Sequence, residues 1–258
     1  MNPQLTVVKV GGKILESDGA LKNFLDDFCM LPNPKLLVHG GGRSATQLSE
    51  RLGIETKMIN GRRITDAQML EVVTMVYGGL VNKKVVAALQ AKGINSMGLT
   101  GADLNLVKAH KRPVKDVDYG FVGDVDEVNV ELLSSLIAKG IVPVVAPLTH
   151  DGMGQLLNTN ADTIASNLAV GLAKNFSVRL VFCFEKQGVL IQPDDDSSVI
   201  PFLNQQLFQM YCREGIISEG MIPKLENGFS ALSEGVNEVV ITNIEGLTIP
   251  DSGTRLGA

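Results

Sequence analysis

The chain has 258 residues, 45% hydrophobic and 20% charged, with a formal net charge of −5. That length can bury a large core as one domain or as two lobes, and the acidic balance argues against a nucleic-acid binder, which needs a basic face. No run approaches the about 18 consecutive apolar residues of a membrane span, and residues 1–6 lack a basic start and an apolar core, so neither a membrane partner nor a signal peptide is expected.

Apolar segments at 5–10, 35–39, 94–99, 104–109, 141–146, 178–184 and 237–242 read as strands. Helical patterns lie between them at 17–31, 43–53, 66–92, 129–139, 161–174, 204–214 and 223–235. Such alternation predicts a mostly parallel sheet covered on both faces. Thr65-Asp66 can start the long helix, Lys92-Gly93 can stop it, and Asn160 or Asp162 can cap the helix at 161–174. Segments 104–109 and 120–125 suggest a hairpin beside the main sheet. Residues 192–198 read as an exposed acidic loop.

Two strand exits carry the strongest chemical signal. Val7-Val8-Lys9-Val10-Gly11-Gly12-Lys13 and Leu36-Leu37-Val38-His39-Gly40-Gly41-Gly42 are apolar runs that end abruptly in glycine. Ligands of open α/β sheets sit beyond the carboxyl ends of strands, and glycine there lets backbone N–H groups approach an anion. Lys9 makes an anionic substrate the natural reading. Neither turn matches G-x-x-x-x-G-K-[ST] or G-x-G-x-x-G, and Gly42-Arg43-Ser44-Ala45-Thr46 lacks the closing glycine of a nucleophile elbow.

Four further segments join them. Asn60-Gly61-Arg62-Arg63-Ile64-Thr65-Asp66 presents two arginines suited to carboxylates just before a helix. Gly98-Leu99-Thr100-Gly101-Ala102-Asp103 is another glycine-rich strand exit, and Asn158-Thr159-Asn160-Ala161-Asp162 follows the strand at 141–146 after a turn and sets polar side chains at a helix start. Ser218-Glu219-Gly220-Met221-Ile222-Pro223-Lys224 delivers a lysine to a helix N-terminus, where the macrodipole disfavours it unless an anion is near. Cys29, Cys183 and Cys212 are odd in number and widely spaced, which fits reduced thiols in a cytoplasmic protein. His39, His110 and His150 show no ligand spacing, so no protein-bound metal is expected.

In this order and spacing, and with Gly120-Phe121-Val122-Gly123-Asp124-Val125 and Pro143-Val144-Val145-Ala146-Pro147, the segments resemble the amino acid kinase family over essentially the whole chain. Within it they are similar to the branch that acts on N-acetyl-L-glutamate. The resemblance implies a three-layer αβα sandwich around a mainly parallel open sheet. Residues 1–175 would bind the acylglutamate and dimerise, and residues 176–258 would bind ATP, in one continuous domain. The implied reaction is phosphorylation of the γ-carboxylate by ATP with Mg2+, the second step of arginine synthesis. Lys9 would bridge the transferring phosphoryl group, Lys224 would neutralise the leaving side, and Asp162 would hold both ammonium groups. The N–H groups of Gly11, Gly12, Gly41 and Gly42 would line the phosphoryl path. Arg63, Asn158 and Asn160 would hold the acylglutamate. Glu185, Gly188, Val189, Leu190, Ile216, Ile217, Ser218, Gly220 and Met221 would meet ATP.

The resemblance also implies a cytoplasmic homodimer without arginine feedback, because the first strand begins at about Leu5. Met69, Val72, Val73, Met75, Val76 and Tyr77 on the long helix are the candidate interface. The sequence departs from the family pattern at Phe184-Glu185-Lys186, where Thr/Ser-Asp-Val is common, and at Arg62, where an apolar residue is common. Arg62 and Arg43 keep an N-succinyl substrate open, since a distal carboxylate needs a cation; solvent exposure or pairing with Glu50 or Asp66 is the bland reading. Glutamate 5-kinase, aspartokinase, carbamate kinase and a non-catalytic nucleotide sensor are the other readings. The joint presence of Lys9, Asp162 and Lys224 argues against the sensor.

Overall fold

The computed structural model describes residues 2–59, 61–217 and 220–257. From the N-terminus it runs β1 (Gln4–Val10), α1 (Gly12–Glu16), α2 (Asp18–Met30), β2 (Lys35–His39), α3 (Gly42–Arg51) and a short antiparallel pair, β3 (Met58–Ile59) and β4 (Arg62–Arg63). One long helix follows, made of α4 (Ala67–Val73), a π-helical stretch (Thr74–Val81) and α5 (Asn82–Ala91), and then β5 (Ser96–Leu99). The chain continues through β6 (Val107–Lys111), β7 (Gly123–Val128), α6 (Val130–Ala138), β8 (Val142–Val145), β9 (Leu148–His150), β10 (Leu156–Asn158), α7 (Ala161–Leu172) and β11 (Ser177–Cys183). It ends with β12 (Phe202–Asn204), α8 (Gln205–Arg213), α9 (Ile222–Ser233), β13 (Glu238–Thr242) and β14 (Thr254–Gly257).

Eight strands form the main sheet in the order β12-β14-β13-β11-β1-β2-β8-β5. The pairings from β13 to β5 are all parallel, and only β13–β14 is antiparallel. This is the expected αβα sandwich. Leu5 and Val7 of β1 pack in one core with Leu168 and Leu172 of α7 and Leu225 and Phe229 of α9. Val8 and Val10 pack in the other with Phe24 and Phe28 of α2 and Val72, Val76 and Val85 of the long helix. Alternation along β1 therefore turns Lys9 to the α7 face, with Leu5 and Val7. A second sheet, in the order β10-β9-β6-β7, lies beside the first. It contains the expected hairpin, with β6 antiparallel to β7.

Three expectations change. The strand expected from residue 104 starts at Val107, because Asp103–Asn105 forms a 3-10 turn in which Leu104 and Asn105 both have φ 53°. The long helix is π-helical through its middle third. The segment Asn158–Asp162 follows β10 rather than a turn after β8, because β9 and β10 intervene. Ala67–Ala91 is long and apolar enough to cross a membrane by composition, but Met69, Val72, Val73, Val76, Val85 and Leu89 are all at most 1% exposed. Those six residues fill this protein's core.

Candidate active site

The site forms at the carboxyl ends of β1, β2 and β11, where three separate charges meet. Asn160 caps α7, its Oδ1 accepting from the N–H groups of Asp162 at 2.8 Å and Thr163 at 3.2 Å. That cap places the Asp162 carboxylate in the first turn, where the helix dipole favours it. Lys9 Nζ lies 2.8 Å from Asp162 Oδ1, an ion-pair contact without hydrogen-bond alignment. Lys224 Nζ, from the first turn of α9, donates to Oδ2 at 2.9 Å. Lys224 also lies 5.5 Å from the Phe182 ring centroid and 5.9 Å from that of Phe184.

These side chains are only 11%, 12% and 15% exposed for Lys9, Lys224 and Asp162, so their charges interact with little screening. Burial alone would raise the Asp162 pKa; Lys9 and Lys224 overcome it and hold the carboxyl well below its usual range. Burial and the Lys9 charge lower the Lys224 pKa, and Asp162 opposes them. Two ammonium groups on one carboxylate leave a net positive charge, which an anionic ligand would complete.

The glycine turn after β2 lies beside this triad. Gly40 N–H donates to Val10 O at 3.1 Å, tying the turn to the end of β1. A Cβ on Gly41 would lie 2.7 Å from Tyr77 Cδ1, so the ring requires glycine there. Gly42 opens α3, whose N-terminal N–H groups lack intrahelical acceptors. Gly11 N–H donates to Cys183 O at 3.0 Å, and Gly12 begins α1.

A cavity of about 190 Å³ adjoins the turn, lined by Gly40, Gly41, Gly42, Met58, Gly61, Arg62, Arg63, Tyr77, Arg112, Val122, Pro147, Asn158, Thr159, Asn160 and Ala161. Arg63 is 8% exposed and braces the turn: Nη2 donates to Gly42 O at 2.7 Å and Thr46 Oγ1 at 2.9 Å, and Nη1 donates to Thr56 Oγ1 at 3.2 Å. Asn158 donates from Nδ2 to Thr65 Oγ1 at 2.9 Å. Arg112 pairs with Asp124, its Nε 3.1 Å from Oδ1. Among the described residues, Arg62 has no carboxylate within ion-pair distance.

Sequence reasoning singled out Gly41, Gly42, Arg62, Arg63, Asn158 and Asn160 of this wall. It missed Tyr77, Arg112 and Val122, which arrive from the long helix, the end of β6 and the approach to β7. Arg43 does not belong to the cavity wall. It is 55% exposed and lies 3.7 Å from Glu16, an acid on α1 rather than Glu50 or Asp66. The candidate interface on the long helix also changes: Met69, Val72, Val73, Val76 and Tyr77 are buried in the core, and only Met75 of that set is exposed, at 51%.

On the far side of the triad, Glu185 lies 3.7 Å from Lys13 Nζ, both about half exposed. A Cβ on Gly188 would lie 2.7 Å from Thr254 Oγ1. Val189, Leu190 and Ile217 are buried in the core, with the Val189 N–H donating to Thr254 Oγ1 at 2.8 Å. Ile216 and Met221 are partly buried and Gly220 is exposed, whereas Ser218 lies outside the described residues.

The family model described as Amino acid kinase family matches residues 4–243. An acetylglutamate kinase of Bacteroides fragilis is 60% identical over 256 residues, covering 99% of this chain and 98% of its own. An acetylglutamate kinase of Phocaeicola vulgatus is 63% identical, covering 94% of each chain. Among solved structures, N-acetylglutamate synthase from Neisseria gonorrhoeae, complexed with coenzyme A and N-acetyl-glutamate, matches 98% of this chain and 59% of its own at TM-score 0.84. Its identity is 21%, so the likeness shows the fold alone.

Proposed function

The chain belongs to the amino acid kinase family, and from that premise we propose that it transfers the γ-phosphoryl group of ATP to the γ-carboxylate of N-acetyl-L-glutamate, giving N-acetyl-L-glutamyl 5-phosphate in arginine biosynthesis. One observation carries the reading. Two lysines share the Asp162 carboxylate directly beside a small, arginine-lined cavity. The curated relatives of that name, at 60% and 63% identity, support the choice of acceptor.

A side-chain carboxylate with an ordinary pKa of about 4.3 is already ionised at pH 7, so the nucleophile needs no general base. What phosphoryl transfer needs is alignment and neutralisation of charge. Lys9 serves the acceptor side and stabilises the transferring group. Lys224 serves the leaving side, and Asp162 spaces the two ammonium groups. Gly12, Gly41 and Gly42 supply N–H groups along the path, whereas the expected Gly11 N–H is already given to the Cys183 carbonyl at 3.0 Å and is not free for a phosphoryl group. Asn158 and Asn160 orient the acylglutamate; Arg63 braces the turn through both Nη groups and keeps its Nε–H for a carboxylate. Magnesium would arrive bound to the ATP phosphates and would supply charge neutralisation there. Residues up to about 175 form the acylglutamate side and the dimer contact, and the remainder forms the nucleotide side. Exposed Met75 and Leu80, together with the edge strand β5, support a homodimer through the long helix. The enzyme works in the cytoplasm.

A second acceptor, N-succinyl-L-glutamate, is favoured by Arg62, which lines the cavity without a carboxylate partner. The test is ADP release with ATP and, in turn, N-acetyl-, N-succinyl- and free L-glutamate. The proposal expects kcat/KM to be highest for the acetyl compound. Higher kcat/KM for the succinyl compound, lost in Arg62→Leu, would establish the second reading. Turnover with free glutamate alone would refute both.

A further inference from the structure

His39 has no part in the mechanism above, yet it is wholly buried at the last position of β2, immediately before the glycine turn. Its Nδ1 lies 2.7 Å from Gly40 O, and its Nε2 lies 3.1 Å from Asn82 Nδ2. The neighbours of Asn82 settle which atoms carry protons. Lys83 Nζ can only donate, and it lies 3.1 Å from Asn82 Oδ1. The Val144 carbonyl can only accept, and it lies 2.9 Å from Asn82 Nδ2. The amide orientation is therefore fixed, and Nδ2 presents its second hydrogen to His39. His39 Nε2 must be a bare acceptor, and the ring proton must sit on Nδ1, which donates to Gly40 O. The same tautomer follows from either end of the chain of bonds.

The consequence lies in the next peptide unit. Gly40 C=O and Gly41 N–H belong to one planar group and point in opposite directions. A donor that holds the Gly40 carbonyl also aims the Gly41 N–H. The other two carbonyls of the turn are held as well. Gly41 O accepts from Ala45 N–H at 3.0 Å, and Gly42 O accepts from Arg63 Nη2 at 2.7 Å and from Thr46 Oγ1 at 3.1 Å. With all three carbonyls engaged, the N–H groups of Gly41 and Gly42 are the free polar face of the turn, beside the cavity.

We infer that His39, in its Nδ1–H tautomer, is a positioning residue that aims the Gly41 N–H at the phosphoryl group in flight, and that Asn82 enforces that tautomer. This rests on the proposed phosphoryl transfer. The helix that carries Asn82 also carries Tyr77, whose ring sets the approach to Gly41. The alignment of the turn is thus held from one face of the long helix, while Met75 and Leu80 lie exposed on another. Gly98 completes the arrangement, since a Cβ there would lie 1.9 Å from Asn82 Oδ1.

The test uses two near-isosteres in the full-length chain. In His39→Asn the amide nitrogen takes the place of Nδ1 and keeps a donor for Gly40. In His39→Gln the amide reaches the Nε2 position and Asn82, and the donor to Gly40 is lost. Misaimed transition-state donors cost about 100-fold in kcat. His39→Gln is therefore expected to lose about that much, with KM for both substrates within about threefold, and His39→Asn to stay within about fivefold of the parent kcat. Folded variants in any other order, or a rise in KM at unchanged kcat, would overturn the inference. Should either variant fail to fold, 15N NMR of the unsubstituted protein at pH 7 decides it. A protonated Nδ1 and a bare Nε2 are expected, and the opposite tautomer overturns it. This measurement needs no turnover, so a failure of the proposed function stays distinguishable: the parent chain would then fail to phosphorylate N-acetylglutamate whatever the tautomer.

Discussion

Asp162→Asn removes one charge from the centre of the triad while keeping its shape. At the observed contacts of 2.8 and 2.9 Å, each ion pair is worth about 6 kcal/mol gross at an effective dielectric near 20. Desolvation of three partly buried ions cancels much of this, so the net loss is about 3–5 kcal/mol, the usual cost of stranding a buried charge. In a chain of this size that lowers Tm by roughly 10 °C. Because both lysines remain, ATP binding should change little, whereas the lost alignment should reduce kcat by about 100- to 1000-fold. Asp162 raises the Lys224 pKa against burial and Lys9, so its loss should move the alkaline limb of the kcat profile to lower pH. Thermal melting with and without ATP, and steady-state rates from pH 6 to 10, measure these effects. Bound nucleotide should restore part of the lost stability by offering its own negative charge to the lysines. An unchanged Tm with kcat within about threefold would refute the idea that Asp162 holds the cations together.

Arg63→Ala should release Gly42, Thr46 and Thr56 together and raise KM for N-acetylglutamate at least tenfold, at about 1.5–3 kcal/mol per charge-assisted bond; an unchanged KM would remove Arg63 from the acceptor site. His39 titrates near pH 4 in the folded chain against an ordinary 6.5, chiefly through burial, so its contribution is complete above pH 6.5 and declines as pH falls toward 4. At 1.36 kcal/mol per pKa unit that is about 3 kcal/mol, visible in urea unfolding as an acid-side slope that His39→Asn should flatten; equal slopes in the two proteins would contradict it. Leu80→Glu places a charge on an exposed apolar position of the proposed dimer face and should yield monomers by light scattering, whereas an intact dimer would move the interface elsewhere.

The large elements were legible because their signals are local. β1, β2 and β11 are continuous apolar runs, as strands buried on both faces must be, and Asn129, Asn160 and Asn204 cap their helices through side-chain bonds. Lys9 was legible as a lone charge in an apolar strand, and Lys224 as a cation at the wrong end of a helix. Their meeting on Asp162 was supplied by family resemblance, since no periodicity relates residues on three different elements. The short strands β9, β10, β12 and β14 are three or four residues long and carry too little pattern to stand out. Tyr77 was read as a possible interface residue because an amphipathic stripe looks alike whether it meets a partner or its own core. The π-helical turn that brings Tyr77 to Gly41 and Asn82 to His39 leaves no mark on composition. Arg112 becomes part of the cavity only when β6 pairs with β7 and β9, which local sequence does not announce.

The central claim is that the product is an acyl phosphate on the acceptor's side chain. Incubation with ATP, magnesium, N-acetyl-L-glutamate and hydroxylamine tests it directly, because hydroxylamine traps an acyl phosphate as a stable hydroxamate that mass spectrometry can locate. The predicted result is one γ-hydroxamate of N-acetylglutamate per ADP released, abolished in Lys9→Ala and Lys224→Ala. ADP release without hydroxamate, or hydroxamate undiminished in the lysine variants, would contradict the assignment.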